Sequence, residues 1–158
     1  MAGEQKPNSE TPRFLIKGQY VKDLSFENPH APNIAVRPED KPDVSVDISL
    51  KAQRLDEQHF ELVLKVTANT KNKDVTIFMV ELDYGAVIQL FNVPEDRMEQ
   101  VLFIDCAGLL FPFARRILAD VTRDGGFMPM MLEPIDFIAL YARNKAAEAS
   151  RVKEAKAG

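Results

Sequence analysis

The side chains that could do chemistry in this sequence are few and far apart. We interpret the two histidines, His30 and His59, as a loop and a strand residue, since we expect no second histidine, cysteine or carboxylate near either at the spacing that a metal ion requires. The single cysteine, Cys106, lies in an apolar stretch without a nearby base, which favours a small buried residue over a reactive thiol. We therefore expect no metal site, no cofactor and no catalytic residue among them.

Two further patterns could support acid–base catalysis or phosphate binding. Asp23 and Glu27 stand four positions apart, so on a strand both carboxylates point to one face, but roughly 14 Å apart at about 3.4 Å per residue, too far to share a proton. Gly125 and Gly126 follow a predicted helix, and the negative end of its dipole repels phosphate. We interpret these glycines as a helix stop, and an enzyme is the least favoured class of protein.

The size and the charge of the chain narrow the classes of partner. Its 158 residues fit one domain, and a net charge of −4 lacks the positive field that dominates binding to a phosphate backbone, so nucleic acid is not an expected partner. The lone cysteine and the polar start, residues 1–7, predict a cytoplasmic protein without a secretory signal. The most apolar stretch, residues 101–114, is too short for insertion into a membrane.

Alternating apolar and polar residues predict four strands. One series predicts a half-buried strand over residues 13–27: Phe14, Ile16, Tyr20, Leu24 and Phe26. Two more series, in residues 44–52 and 60–68, predict a hairpin, and residues 75–90 predict a fourth strand with an interruption at Gly85. Four prolines from Pro29 to Pro42 remove backbone donors, so this stretch is predicted to be a crossover loop that is long enough to cover a groove.

Three helices are predicted after the strands. Pro94 suits the first position of a helix, residues 110–124 carry apolar side chains at helical spacing, and Pro134 with Asp136 opens the last helix. Strands first and helices afterwards indicate an α+β fold, with a four-stranded antiparallel sheet and a helical layer on one face. We assign residues 1–12 to a disordered polar leader, 13–145 to the domain and 146–158 to a flexible Ala/Lys/Glu-rich tail.

Four strings of residues resemble the SecB family of export chaperones. Three lie in the C-terminal third, in the order and at the spacing of that family: Phe111-Pro112-Phe113-Ala114-Arg115, Gly125-Gly126-Phe127-Met128-Pro129 and Leu132-Glu133-Pro134-Ile135-Asp136-Phe137. The fourth string, Tyr20–Pro32, resembles the first strand of the family and the turn that leaves it. The resemblance spans residues 13–145 and adds a function to the predicted fold.

The resemblance implies a chaperone rather than an enzyme. A SecB-like protein is a homotetramer, a dimer of dimers, which holds precursor proteins unfolded without hydrolysing nucleotide and passes them to SecA, the export motor ATPase. Four residues match the SecA-docking positions of the family on the outer face of the sheet: Asp23, Glu27, Met79 and Glu81. Assembly is expected at the edge of the first strand and at the helix around residues 98–106.

The surface that binds the unfolded precursor, the client, is expected to be apolar. Its expected members lie on the first two strands and the last helix, with the loop of residues 29–42 as a wall: Phe14, Ile16, Tyr20, Val44, Val46, Phe137 and Tyr141. Family members commonly carry a tryptophan in this loop, and Asp40 stands near that position here. Met128, Met130 and Met131 are either core filler or an adaptable part of the surface.

An alternative from another class remains open at this stage. Without the resemblance, the sequence supports a cytoplasmic carrier of apolar small molecules, which would use the groove between the sheet and the helices as a closed pocket. Such a carrier would show no preference for unfolded protein.

Overall fold

The four strands form one antiparallel sheet. A computed structural model describes residues 11–33, 37 and 39–157, and its strands are β1 (Arg13–Glu27), β2 (Asp43–Arg54), β3 (His59–Asn72) and β4 (Val75–Phe91). Their spatial order is β1-β4-β3-β2, so β2, β3 and β4 make a meander and β1 crosses over to pair with β4. The predicted α+β fold with a four-stranded sheet is confirmed, and β1 and β2 are its edge strands.

β4 continues without a break through Gly85, where the sequence predicted an interruption. Gly85 pairs with Val63 of β3 and with Tyr20 of β1. A Cβ atom at Gly85 would lie 2.6 Å from Cε2 of the Tyr20 ring, closer than real Cβ atoms approach. The glycine therefore makes room for this ring against the β4 backbone, while its two partner strands keep β4 regular.

Two register shifts divide β1 into three parts. They lie between Ile16 and Gly18 and between Val21 and Asp23, and they leave one extra residue each, Lys17 and Lys22. Because each extra residue reverses the alternation of faces, the middle part of β1 is out of phase with its two ends.

The shifts correct one of the sequence-based expectations. Tyr20 pairs with Gly85 and lies on the face of the sheet opposite to four other members of the predicted series: Phe14, Ile16, Leu24 and Phe26. The single alternating series predicted for this strand was therefore wrong at Tyr20.

One continuous helical segment follows the sheet. It begins with a 3₁₀ turn (Glu95–Arg97) and continues through α1 (Met98–Gln100), a π-helical stretch (Val101–Cys106) and α2 (Ala107–Asp124). The residues at each junction keep right-handed helical backbone angles, so the chain does not turn between these parts. The separate helix predicted for residues 110–124 is therefore the continuation of the helix that starts after Pro94.

The last helix, α3 (Phe137–Ala157), begins directly after Asp136. Oδ1 of Asp136 accepts a hydrogen bond of 3.0 Å from the backbone N–H of Ala139, as an N-cap residue does. The residues of α3 after Lys145 are exposed. The predicted tail of residues 146–158 is thus an exposed extension of this helix as far as residue 157.

The core lies between the two central strands and α2. Side chains without solvent exposure come from alternate positions of β3 and β4 and from one face of α2: Leu62, Leu64, Val66, Leu82, Ile88, Leu110 and Leu118. The edge strands are covered only in part, and Val44 and Val46 are exposed near the start of β2. None of the helices in the described part of the chain combines the length and the apolar character that crossing a membrane requires.

Candidate functional site

An apolar groove lies beside the first half of β2. It has a volume of about 930 Å³ and lies among the β1–β2 loop, the start of β2, the β3–β4 hairpin and the loop between α2 and α3. The large apolar side chains in its lining are Val44, Val46, Ile77, Phe78, Phe127, Met128, Met130, Met131 and Leu132. A concave surface of this size and character can take up several apolar groups of a ligand.

The loop between β1 and β2 is held at the groove by hydrogen bonds near both of its ends. Nδ2 of Asn28 donates to the backbone carbonyl of Gly125, 3.0 Å away at the end of α2. Oδ2 of Asp40 accepts hydrogen bonds from the backbone N–H of Arg37 at 2.8 Å and from the side-chain amide of Asn72 at 2.9 Å. Asp40, which stands near the expected tryptophan position, therefore anchors the loop to the end of β3.

The loop between α2 and α3 takes its shape from the end of α2. Gly126 has a φ of +92°, and the N–H of Phe127 donates to the carbonyl of Thr122 at 3.1 Å, so the predicted glycine stop is confirmed. The hydroxyl of Thr122 accepts a further hydrogen bond of 2.9 Å from the N–H of Met130. These bonds leave Met128 at the groove with 89% of its surface exposed.

The methionines of this loop have two different environments. Met128 and Met131 are exposed in the groove, whereas Met130 is half-buried and packs partly against the core. A thioether side chain has three rotatable bonds and adapts to different apolar partners. Met128 and Met131 are therefore part of the groove surface rather than core filler.

Three phenylalanine rings form a cluster at one side of the groove. The ring centroids of Phe78 and Phe127 are 4.7 Å apart, and Phe26 lies 6.0 Å from Phe78 and 6.5 Å from Phe127. Aromatic pairs at these distances stabilise each other beyond the area they bury. The cluster joins β1, β4 and the α2–α3 loop, so it fixes the position of this loop relative to the sheet.

The structure brings together only part of the surface predicted for client binding. Val44 and Val46 line the groove. Phe14 and Ile16 are half-buried and pack against the main core, and Phe137 is buried, with its ring centroid 6.0 Å from that of Phe111. These three residues therefore lie outside the groove lining.

Tyr141 lies at a second, smaller cavity of about 220 Å³. Its ring centroid is 6.4 Å from that of Phe103, and Lys145, also in α3, places its Nζ 2.6 Å from a carboxylate oxygen of Glu99. Burial, followed by the charge of Glu99, raises the pKa of Tyr141. This cavity is charged as well as aromatic and shares no lining residue with the groove.

Tyr20 lies on the outer face of the sheet, which is the face opposite to the helices. Its hydroxyl and the Lys22 ammonium both donate to the carboxylate of Glu61, with 2.6 Å between Nζ of Lys22 and Oε1 of Glu61. These bonds, first the one from Lys22, lower the pKa of Glu61. Burial, followed by the contact with Glu61, raises the pKa of Tyr20 to about 12, so the phenol stays protonated as a donor.

The four residues that match docking positions also lie on the outer face. Glu27 pairs with Met79 and Ser25 pairs with Glu81, so Glu81 lies between Asp23 and Glu27 across the β1–β4 pair. Glu81 is exposed and Met79 is half-buried. Within the ranges that the structure describes, no hydrogen bond or ion pair engages the three carboxylates. We call Asp23, Glu27, Met79 and Glu81 the acidic patch.

His59 and Cys106 lie far apart in different environments. Nδ1 of His59 lies 2.9 Å from the carboxylate of Asp56, at the turn before β3, so the expectation that no carboxylate stands near this histidine was wrong. Cys106 is buried, and desolvation raises the pKa of its thiol to about 12, which keeps it protonated. Among residues 11–33, 37 and 39–157, no three histidine, cysteine or carboxylate side chains gather as metal ligands would.

Sequence reasoning missed several residues of the groove. Phe127 belongs to a string that was identified, and Phe78 belongs to the alternation of β4, but neither was assigned to the surface. The hydrogen bond between Asp40 and Asn72 joins residues 32 positions apart, and no pattern in the sequence announces it. Thr70, also in the lining, carries no such signal either.

Comparisons with known proteins agree on one family. The family model described as Preprotein translocase subunit SecB matches residues 7–148. The Protein-export protein SecB of Parvibaculum lavamentivorans is 48% identical over 134 residues, which cover 85% of this chain and 80% of the relative. The Protein-export protein SecB of Hyphomonas neptunium is 43% identical over 156 residues, which cover 99% of this chain and 92% of the relative.

A solved structure shares the fold. It is a SecB-like chaperone of Mycobacterium tuberculosis in complex with a ChAD peptide from an antitoxin, and it superposes with a TM-score of 0.65. The match covers 78% of this chain and 91% of that chain at 14% sequence identity. At this low identity, the likeness concerns the arrangement of the strands and helices.

Proposed function

The chain belongs to the SecB family of protein-export chaperones, and from that premise we propose that it holds unfolded precursor polypeptides in the groove beside Val44 and Val46. It keeps them competent for translocation without hydrolysing nucleotide and delivers them to SecA in the cytoplasm. The observation that carries this proposal is the apolar groove of about 930 Å³ in a member of this family.

The character of the groove suits a client that has no fixed sequence. Each apolar side chain that becomes buried contributes about 1.5–3 kcal/mol, while ordering one backbone residue costs about 1–2 kcal/mol. One short contact is therefore weak, and release stays possible. Met128 and Met131 can adjust to different side chains, so affinity depends on apolar area rather than on a motif.

We propose a smaller client surface than the seven residues expected from the sequence. We place Val44, Val46, Phe78, Phe127, Met128 and Met131 in it. Phe14, Ile16 and Phe137 support the core instead, Tyr141 belongs to the smaller cavity, and Tyr20 faces the other side of the sheet. A folded client cannot bring its buried side chains to such a groove, so the folding state of the client sets the selectivity.

We also propose that the acidic patch docks SecA. Asp23, Glu27 and Glu81 are three carboxylates around the half-buried Met79. Complementary charge accelerates the encounter, and an apolar residue among the charges adds buried area. Assembly into a dimer of dimers through the β1 edge and residues 98–106 would place several grooves within reach of one client and so tighten binding.

Light scattering on the purified protein tests this function. We expect a species of about four subunits that binds a slow-folding precursor when the precursor is added unfolded, delays its folding, and ignores the native form. A monomer or dimer that treats unfolded and native precursor alike would contradict the proposal. Uptake of lipids or aromatic compounds by that same species would instead favour a small-molecule carrier.

A further inference from the structure

The methionines of the described residues differ in how far solvent reaches them. Met128 is 89% exposed and Met131 is 66% exposed, and both line the groove. Met79, Met98 and Met130 are half-buried, and the last two of these pack partly against the core. A reagent that attacks thioether sulfur therefore reaches Met128 and Met131 first.

The cysteine thiol, which would otherwise compete for such a reagent, is enclosed. Cys106 has no solvent exposure, and burial raises the pKa of its thiol to about 12, so the thiol stays protonated at neutral pH. Oxidation of a cysteine depends on its thiolate form and on its exposure. The most accessible oxidisable sulfur atoms of the described residues are therefore those at the groove.

We propose that Met128 and Met131 form a reversible oxidation site, at which hydrogen peroxide weakens client binding in the groove. The effect on the client rests on the proposed function, whereas the oxidation itself does not. The thioether sulfur gives an electron pair to one oxygen of the peroxide, the O–O bond breaks, and the other oxygen leaves as water. Sulfur is thereby oxidised to the sulfoxide and the peroxide is reduced. Methionine sulfoxide reductases, supplied with a dithiol, restore the thioether and release water and a disulfide.

The oxidised groove should bind apolar groups more weakly. Oxidation converts a flexible apolar side chain into a polar one. The sulfoxide oxygen accepts hydrogen bonds from water, and a client that covers it must remove this water. Because one apolar side chain that becomes buried raises affinity about tenfold or more, oxidation at two positions of the lining should lower affinity by at least about that factor.

The fold should tolerate the same change. The loop that carries both residues is held by the hydrogen bond from the N–H of Met130 to the hydroxyl of Thr122 and by the contact of the Phe127 ring with Phe78. Neither contact uses the sulfur atom of Met128 or Met131. Oxidation of these two residues should therefore change what the groove binds and leave the Tm as it was.

The experiment treats the full chain with dilute hydrogen peroxide, removes the peroxide, and locates the sulfoxides by mass spectrometry of peptides. We expect Met128 and Met131 to be oxidised before the three half-buried methionines, with an unchanged Tm. The probe is a permanently unfolded, reduced and carboxymethylated protein. Its dissociation constant should rise about tenfold or more after treatment and return after incubation with the reductases.

Two variants assign the effect to the groove, and each is compared with its own untreated sample. Met128→Leu combined with Met131→Leu removes both sulfur atoms and keeps side chains of similar volume. The dissociation constant of this double variant should not change on treatment. Met98→Leu removes a half-buried sulfur atom elsewhere and should lose affinity on treatment as the unchanged chain does. Equal sensitivity of the double variant would overturn the proposal.

The remaining outcomes separate the oxidation site from the proposed function. Anilinonaphthalene sulfonate, an apolar dye, reports on the groove without a client and should bind the oxidised chain more weakly. If the untreated chain does not capture the unfolded probe, the proposed function fails, and weaker dye binding would still support the oxidation site. If the chain oxidised at Met128 and Met131 captures the probe as well as the untreated chain does, the function stands and the inference is wrong. Earlier oxidation of the half-buried methionines, or a lower Tm, would also overturn it.

Discussion

The two faces of the sheet differ in what covers them. The inner face is packed under α2 and continues past the helices into an apolar groove. The outer face is mostly polar and carries the acidic patch, and no helix of the described residues covers it. Phe78 and Met79 are neighbours in β4, yet one lines the groove and the other lies in the patch. Because side chains alternate along a strand, the proposed binding at the groove and the proposed binding at the acidic patch would not compete.

The largest expected effect is a loss of folding stability, which affects both faces of the sheet. Leu82 has no solvent exposure and lies in β4 between the sheet and the helices. Leu82→Ala should lower the free energy of unfolding by about 2–5 kcal/mol, since it removes buried methyl groups and leaves a cavity. Urea denaturation measures this change, and binding to both faces should fall together as folded protein is lost. A loss confined to one face would contradict the idea of a common core.

The next effect should be confined to the groove. Val44, 55% exposed, lines it, and Val75, 46% exposed, starts β4 outside its lining. Val44→Asp should weaken client binding about tenfold or more, because a buried side chain of this size contributes about 1.5–3 kcal/mol. Val75→Asp is the matched control and should bind the client normally. Titration with an unfolded precursor measures both, and equal losses would place the client elsewhere.

A smaller effect should be confined to the acidic patch. Asp23→Asn and Glu81→Gln should each weaken SecA binding about two- to fivefold, the range of an exposed charge pair, and leave client binding unchanged. The effect should shrink as ionic strength rises, because salt screens exposed charges. Asp74→Asn, an exposed change at the turn between β3 and β4, serves as the control. If it weakened SecA binding as much as the patch variants, the docking site would be misplaced.

The smallest expected effect is a change in how stability depends on pH, and it arises from Tyr20 on the outer face. The pKa of Tyr20 is raised from 10.0 to about 12, so the folded protein holds the phenolic proton more tightly than the unfolded chain does. This contribution to stability is complete below pH 10.0 and is lost as pH rises through about 12. Tyr20→Phe should therefore lose less stability over that window than the unchanged chain, as thermal unfolding at several pH values measures. If the stability of both proteins depended on pH in the same way, Tyr20 would not be the source of this pH dependence.

Much of the fold could be predicted because it depends on local patterns. The alternation of residues 60–68 and the glycine stop at Gly126 are visible in the sequence and hold in the structure. Asp23 and Glu27 were expected on one face, and no register shift falls between them. These features need only the geometry of a strand or of a helix end.

The groove could not be predicted in the same way. Whether Tyr20 lies on the same face of the sheet as Phe14 depends on the extra residues in β1. These residues become visible only through the pairing of β1 with β4. The position of the β1–β2 loop at the groove depends on the hydrogen bond between Asp40 and Asn72, which lies at the end of β3. Such contacts are set by tertiary structure, which explains why a surface predicted as one set of seven residues is distributed over several places.

The register shifts of β1 also bear on how its length can vary. Lys17 and Lys22 have no paired residue in β4. A chain that lacked one of them could pair its neighbours with β4 without a bulge, and every other residue of β1 would stay on the same face of the sheet. β3 has no such spare residue from His59 to Thr70, where it pairs without a shift on both sides. The loss of a single residue there would turn half of the core outward. Among homologous chains, insertions and deletions of one residue should therefore occur in the first strand and be excluded from the third.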